Sequence, residues 1–343
     1  MTCGTTTERA EIQRLFLGLA LEAQKQIPIS FNPKKRVIVL AGPTGCGKTA
    51  FALELAKMMG GEIISADSMQ VYRGMDIGTA KASKEERLLI PHHLLDIRDI
   101  TENFNVVDFY YEARHCCQQV LDRGSVPIIV GGSGFYLHAL LYGPPSGPPS
   151  VPEVRKTLED EFEAVGPEVL YERLRRFDPE YAHTINKHDK QKIIRALEII
   201  TLTGKKVSRF SWATRIKPQG HDFHCWFLHR PKDLLYKRIE KRCDRMLADG
   251  FMDEVKLLEQ QGLRTNSSAS QAIGYRQALD YLASPQTSQD YTKFVEHFKQ
   301  ASRNYAKRQI TWFKREPLFR WLDIELHDYE VAIDIIEQDY QAR

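Results

Sequence analysis

The stretch Arg36-Val-Ile-Val-Leu-Ala-Gly-Pro-Thr-Gly-Cys-Gly-Lys48-Thr49 decides the fold. Gly42, Gly47, Lys48 and Thr49 satisfy G-x-x-x-x-G-K-[ST], the Walker A phosphate loop. Val37 to Leu40 is a continuous apolar run ending near a glycine, as a buried parallel strand should be. Ala50 to Met58 supplies helix formers, and Gly60-Gly61 stops them. Strand, glycine loop and helix start gather backbone N–H groups and a positive helix end around one point. Gly42, Pro43, Thr44, Gly45, Cys46, Gly47, Lys48 and Thr49 are therefore candidate ligands for a di- or triphosphate, with the Thr49 hydroxyl available to Mg2+. ATPases, kinases and other transferases share this loop, so the rest of the chain must say what happens to the phosphate.

Outward from the loop, Glu62 to Asp67 reads as a second strand. Asn105 to Arg123 reads as a helix, and Pro127 to Val130 as a third buried strand running into Gly131-Gly-Ser-Gly134. Alternating strands and helices predict an α/β fold, a P-loop core whose parallel sheet is flanked by helices. Gly143 to Pro152 breaks regular structure, and helical patterns alone occupy 153 to about 215. Phe223–Leu228 returns to strand character, helices follow at 231–248, 251–261, 270–282 and 291–315, and Leu318–Ile324 is strand-like. The division is an N-terminal helical extension and linker (1–35), a core (36–143 and 222–325), an all-helical insertion (144–221) and a C-terminal helix (326–343).

The 343 residues, 42% hydrophobic and 27% charged, suit a globular chain of this organisation. A net charge of +3 is too small to argue for nucleic acid by itself. No apolar run is long enough to span a membrane, and the N-terminal stretch Leu15 to Ala23 has helical amphipathic spacing rather than a signal-peptide pattern. The six cysteines lack C-x-x-C spacing, which reads as reduced thiols in a cytoplasmic protein without zinc. A monomer is expected.

Asp67 ends the strand after the phosphate loop and should face the same crevice as Lys48. A Walker B metal ligand and a general base are equally open readings for it. Ser133 is either a turn serine or a crevice hydroxyl. From Lys299 to Arg315 lie Lys299, Arg303, Lys307, Arg308, Lys314 and Arg315 without an acidic residue, interleaved with Tyr305, Trp312 and Phe313. A one-sided run of that kind favours a polyanionic partner. Lys187, Lys190, Lys192 and Arg195 form a second cluster, on a helix whose Ile193, Leu197 and Ile200 face a core.

Several stretches occur in order: Gly42–Thr49, Asp67–Lys81, His92–Asp96, Gly131–Leu137, Ile194–Glu198, Gly250–Val255, Ala272–Gln277 and Tyr305–Lys314. Together they resemble the bacterial tRNA dimethylallyltransferase (tRNA isopentenyltransferase, MiaA) family over about residues 36–325. The resemblance implies transfer of a dimethylallyl group from dimethylallyl diphosphate to N6 of adenosine 37 of tRNA, 3′ of the anticodon, in tRNAs reading UNN codons. It implies Asp67 as base, with Ser133 and Lys48 catalytic and, more weakly, Arg238 and Arg242 on the diphosphate. It maps contacts to the anticodon stem-loop onto Asp67, Ser68, Met69, Gln70, Ser133, Arg155, Gln191, Lys192, Ile193, Ile194, Arg195, Gln271, Gly274, Tyr275 and Arg276. Ser133 and Lys192 stand where relatives commonly carry threonine and arginine. Arg303 and Lys307 join the RNA contacts on charge. The alternative is a P-loop kinase or transferase acting on free adenine nucleotides.

Overall fold

A computed structural model describes residues 35–210 and 220–342. The amphipathic helix expected within 1–35 lies outside them. Two compact units appear, one within Tyr142–Lys217 and the other within Ile27–Leu141 and Pro218–Arg343.

The larger unit is built on six parallel strands: β1 (Arg36–Ala41), β2 (Gly61–Ala66), β3 (His92–His93), β4 (Val126–Gly131), β5 (Asp222–His229) and β6 (Arg320–Asp323). Their order is β3-β2-β4-β1-β5-β6. Every residue of β1 and β2 is buried, which accounts for the unbroken apolar run of β1 at the sheet's centre. The helices are α1 (Lys48–Met59), α2 (Lys84–Leu89), α3 (Val106–Asp122), α4 (Gly134–Tyr142), α9 (Lys232–Ala248), α10 (Phe251–Gln260), α11 (Tyr275–Leu282), α12 (Ser288–Phe313) and α13 (Tyr329–Gln341). α1 ends at Gly60 in the left-handed region, where glycine carries no Cβ penalty. α3 starts in a capping box between Asn105 and Asp108.

Register sets up the site. Ala41 and Ala66 both pair with Gly131, so three adjacent strands end level. The residues that follow, Gly42, Asp67 and Gly132, emerge side by side at one edge of the sheet. A Cβ on Gly131 would lie 2.3 Å from the Ala66 carbonyl, so this level junction requires glycine.

The structure differs from the sequence reading in places. The helix expected over 270–282 is broken into a 3-10 turn at Ala269–Gln271 and α11, with Gly274 at φ +89° between them. A Cβ there would press on Phe298 and Phe251. The loop after Asp67 leads into α2 and the two-residue β3, both too short for periodicity to reveal. It is closed by Lys81, whose ammonium donates to the Tyr72 carbonyl and pairs with Asp76 and Asp96 at 2.6 Å each.

The smaller unit is helical: α5 (Pro152–Val165), α6 (Pro167–Phe177), α7 (Pro179–His183) and α8 (Lys190–Thr203). Leu158, Phe162, Leu170, Leu174, Ile193, Ile194 and Leu197 form its core.

Candidate active site

The phosphate loop turns between β1 and α1 with Gly45 and Gly47 at φ +79° and +105°, conformations other residues rarely adopt. Lys48 Nζ donates to the Pro43 carbonyl at 2.9 Å and so spans the loop from within. Burial lowers its pKa, against the pull of Cys46 and Asp67. Thr49 is exposed in the first turn of α1. Arg238 reaches the Gly45 carbonyl at 3.0 Å and Arg230 the Cys46 carbonyl at 2.8 Å. In a trans peptide N–H and C=O point oppositely, so an arginine on the Cys46 carbonyl turns the Gly47 N–H the other way.

Beside the loop opens a cavity of about 320 Å³. Thr44, Asp67, Ser68, Arg242, Tyr305 and Arg308 are among its lining residues. Asp67 Oδ1 accepts from the Met69 N–H at 2.9 Å, an Asx turn that orients the carboxylate. Oδ2 has no hydrogen-bond partner among the described residues, so one carboxylate oxygen remains available to a ligand. Arg242 donates to Thr44 Oγ1 at 3.1 Å and to the Thr79 carbonyl at 3.4 Å. Burial lowers the Arg242 pKa, and Asp67 opposes that shift. Burial raises the Tyr305 phenol, keeping it neutral.

Two side chains, buried Gln309 and half-buried Glu254, hold the cavity wall in shape. Gln309 accepts from the Thr44 N–H at 2.8 Å and donates to the Gly132 carbonyl at 2.9 Å, tying the ends of β1 and β4 together. The Glu254 carboxylate accepts from three successive backbone N–H groups, Asp76 (2.9 Å), Ile77 (2.6 Å) and Gly78 (3.1 Å), and from Tyr275 Oη at 2.6 Å. Gln70 fixes the same loop through Ser65 Oγ and the Thr79 carbonyl.

Of the expected residues, Asp67, Ser68, Met69, Gln271, Tyr275 and Thr44 line the cavity together. Ser133 does not. It is half-buried just before α4, its carbonyl accepting from the Leu137 N–H at 3.0 Å in the first turn of that helix. Gly274 is buried, and Arg276 is exposed outside the lining. In the helical unit, Arg155 donates to Gln191, Lys192 pairs with Asp189 and Arg195 pairs with Glu198. Ile193 and Ile194 are wholly buried in that unit's core, so the expectation that they touch RNA is corrected: helix phase turns them inward. Within the Lys299–Arg315 run, α9 supplies counter-ions to two of the six cations. Lys299 pairs with Asp244 and Arg303 with Glu240, each at 2.6 Å. Lys307 is exposed.

The sequence reading offers Arg238 and Arg242 only as weaker diphosphate candidates, and it assigns no role to Gln309 or Glu254. Each meets partners far away in the chain, so no local pattern betrays the contact.

Comparison with known proteins agrees with this geometry. The family model described as IPP transferase matches residues 70–316. A tRNA dimethylallyltransferase of Protochlamydia amoebophila is 68% identical over 97% of both chains. One of Chlamydia caviae is 50% identical over 94% of both. Among solved structures, a tRNA isopentenylpyrophosphate transferase of Bacillus halodurans superposes with TM-score 0.64 at 37% identity, over 88% of this chain and 95% of that one. A eukaryotic dimethylallyltransferase acting on tRNA gives TM-score 0.73 at 30% identity, over 90% and 80%. The phosphate loop, the cavity behind it and the chain as a whole thus point one way: this chain belongs to the IPP transferase family, among the tRNA dimethylallyltransferases.

Proposed function

We propose that this chain transfers the dimethylallyl group of dimethylallyl diphosphate to N6 of adenosine 37 in tRNAs reading UNN codons, in the cytoplasm and as a monomer. The observation that carries the reading is the Asp67 carboxylate, with one oxygen unengaged, facing the same cavity as the phosphate-loop residue Thr44 and the buried Arg242. Family membership gives the transferred group and the acceptor.

Breaking the allylic C–O bond leaves negative charge on the diphosphate. The loop N–H groups, Lys48 and Arg242 would receive it, and a preorganised low-dielectric site gives such donors their greatest effect. A new bond then joins the allylic carbon to N6. The nitrogen becomes acidic as that bond forms, and its proton passes to Asp67 Oδ2. Among the described residues no group of three or more His, Cys, Asp or Glu is placed to hold a metal. The exposed Thr49 hydroxyl would help hold Mg2+, a cation that takes oxygen ligands. When bound it would neutralise charge on the leaving group. Ser68 and Gln271 line the cavity that the acceptor base would enter, and a stacked adenine must be splayed out to reach it.

The test offers labelled dimethylallyl diphosphate with an anticodon stem-loop, and separately with AMP or ADP. Label entering the RNA and not the free nucleotides is expected. Label entering AMP or ADP with comparable efficiency would return the chain to the free-nucleotide alternative.

A further inference from the structure

Helix α12 has two flanks of different use. Lys299 and Arg303 turn toward α9 and are neutralised there by Asp244 and Glu240. On the other flank Tyr305, Arg308 and Trp312 are spaced three, four and seven residues apart, which puts them on one face. Tyr305 and Arg308 line the cavity that holds Asp67, and the Arg308 guanidinium lies 5.7 Å from the Tyr305 ring centroid. Trp312 follows one turn beyond Arg308, roughly 10 Å along the axis from Tyr305 at 1.5 Å per residue. Its neighbour Phe313 is buried among Phe227 and Phe319, so the aromatics of this run divide into one core ring and two at the rim.

Trp312 is 40% exposed although it is the largest apolar side chain of the run. Its five-membered ring lies against Gly134, where an added Cβ would sit 2.4 Å from the indole. Gly134 therefore lets the indole settle at the end of β4, and Phe135, the next residue, is itself 46% exposed. An exposed aromatic one helical turn beyond the cavity-lining Arg308, with Arg315 three residues further on, matches the demands of a single-stranded nucleic acid. Its bases offer π faces, and its backbone offers negative charge.

We propose that Trp312 is a stacking platform for a nucleotide adjacent to the modified adenosine, and that it thereby fixes which base enters the cavity. The inference rests on the proposed RNA substrate and adds a residue that neither the phosphate loop nor Asp67 requires. Arg308, between the platform and the cavity, meets the backbone linking the two nucleotides.

The test is a double-mutant cycle on label transfer at saturating dimethylallyl diphosphate. The enzymes are wild type, Trp312→Leu and Trp312→Phe. The substrates are an anticodon stem-loop and versions carrying one abasic site at each position flanking the target adenosine. Base–aromatic stacking predicts that Trp312→Leu lowers kcat/KM for RNA roughly 5- to 150-fold. KM for dimethylallyl diphosphate should stay within about twofold, and Trp312→Phe should restore most of the loss. One abasic position should harm wild type comparably yet add little in Trp312→Leu. If every abasic loss multiplies undiminished in Trp312→Leu, or if Trp312→Leu matches wild type, the platform is refuted. Should Trp312→Leu fail to fold, the same cycle with Trp312→Met decides, because it keeps apolar bulk without a ring to stack on. No transfer by wild type would overturn the reading of function itself, an outcome separate from undiminished abasic losses.

Discussion

Replacing Gln309 tests how far the site depends on one buried amide. Its side chain accepts from Thr44 N–H and donates to the Gly132 carbonyl, with only 6% of the residue exposed. Gln309→Ala removes both bonds. A net hydrogen bond contributes about 1 kcal/mol, and a buried partner left unsatisfied costs about 1–3 kcal/mol. Gly132 is buried and Thr44 half-buried, so water can rescue only the second. The expected loss is about 2–4 kcal/mol, read from urea unfolding with unchanged m-value. Gln309→Glu should be worse at pH 7.5, because it sets a carboxylate oxygen against the Gly132 carbonyl. Its folded-state pKa is then raised above the unfolded value near 4.3, so the stability it contributes is present below that pH and disappears as pH rises through the folded pKa. Gly132→Ala supplies a cross-check. An added Cβ would lie 2.1 Å from Gln309 Nε2, so its cost should shrink in the Gln309→Ala background. A Gln309→Ala loss below about 0.5 kcal/mol, far under the cost of an orphaned buried carbonyl, would refute the bridge, as would a Gln309→Glu enzyme as stable as wild type at pH 7.5.

Three further outcomes are expected. Glu254→Gln should speed hydrogen exchange of the Asp76, Ile77 and Gly78 amides and lower kcat/KM, while Tyr275→Phe, which removes one donor, should cost only about 1 kcal/mol; exchange rates equal to wild type would remove Glu254 from that role. His221 is pushed down to about 4, first by burial and then by Arg114 and Lys35. Its folded pKa lies below the unfolded value near 6.5, so its contribution is intact above that pH and disappears as pH falls toward 4, up to about 3 kcal/mol, and His221→Phe should flatten that part of the urea-unfolding profile. Ile194→Ala should destabilise the helical unit by about 2–5 kcal/mol, whereas Lys192→Ala should leave stability within about 0.5 kcal/mol and weaken RNA binding with a shallower salt slope.

Where the sequence was legible, the governing interactions were local. Val37–Leu40 is apolar throughout because β1 is buried on both faces, and the glycines of the loop announce a conformation only they adopt. Asp67 could be placed at the crevice because parallel strands end at one edge. What escaped was set by tertiary contact. Counting charge from Lys299 to Arg315 overlooked Asp244 and Glu240, which lie on another helix. A contiguous stretch, Gln191–Arg195, was expected at one surface, although helix phase must send Ile193 and Ile194 inward. Arg242 outranks Arg238 in the cavity wall because the pitch of α9 aims it at Thr44, which four residues' difference in sequence position does not reveal.

The central claim, that Asp67 removes the N6 proton during transfer to RNA, is tested most directly by single-turnover transfer with Asp67→Ala. Enzyme saturated with labelled dimethylallyl diphosphate is mixed with an anticodon stem-loop, and binding of the diphosphate is measured on the same samples. The account predicts a fall of roughly 10²- to 10⁴-fold in the transfer rate, the usual contribution of a general base, with diphosphate affinity little changed. A transfer rate within a few-fold of wild type, with that affinity intact, would contradict it.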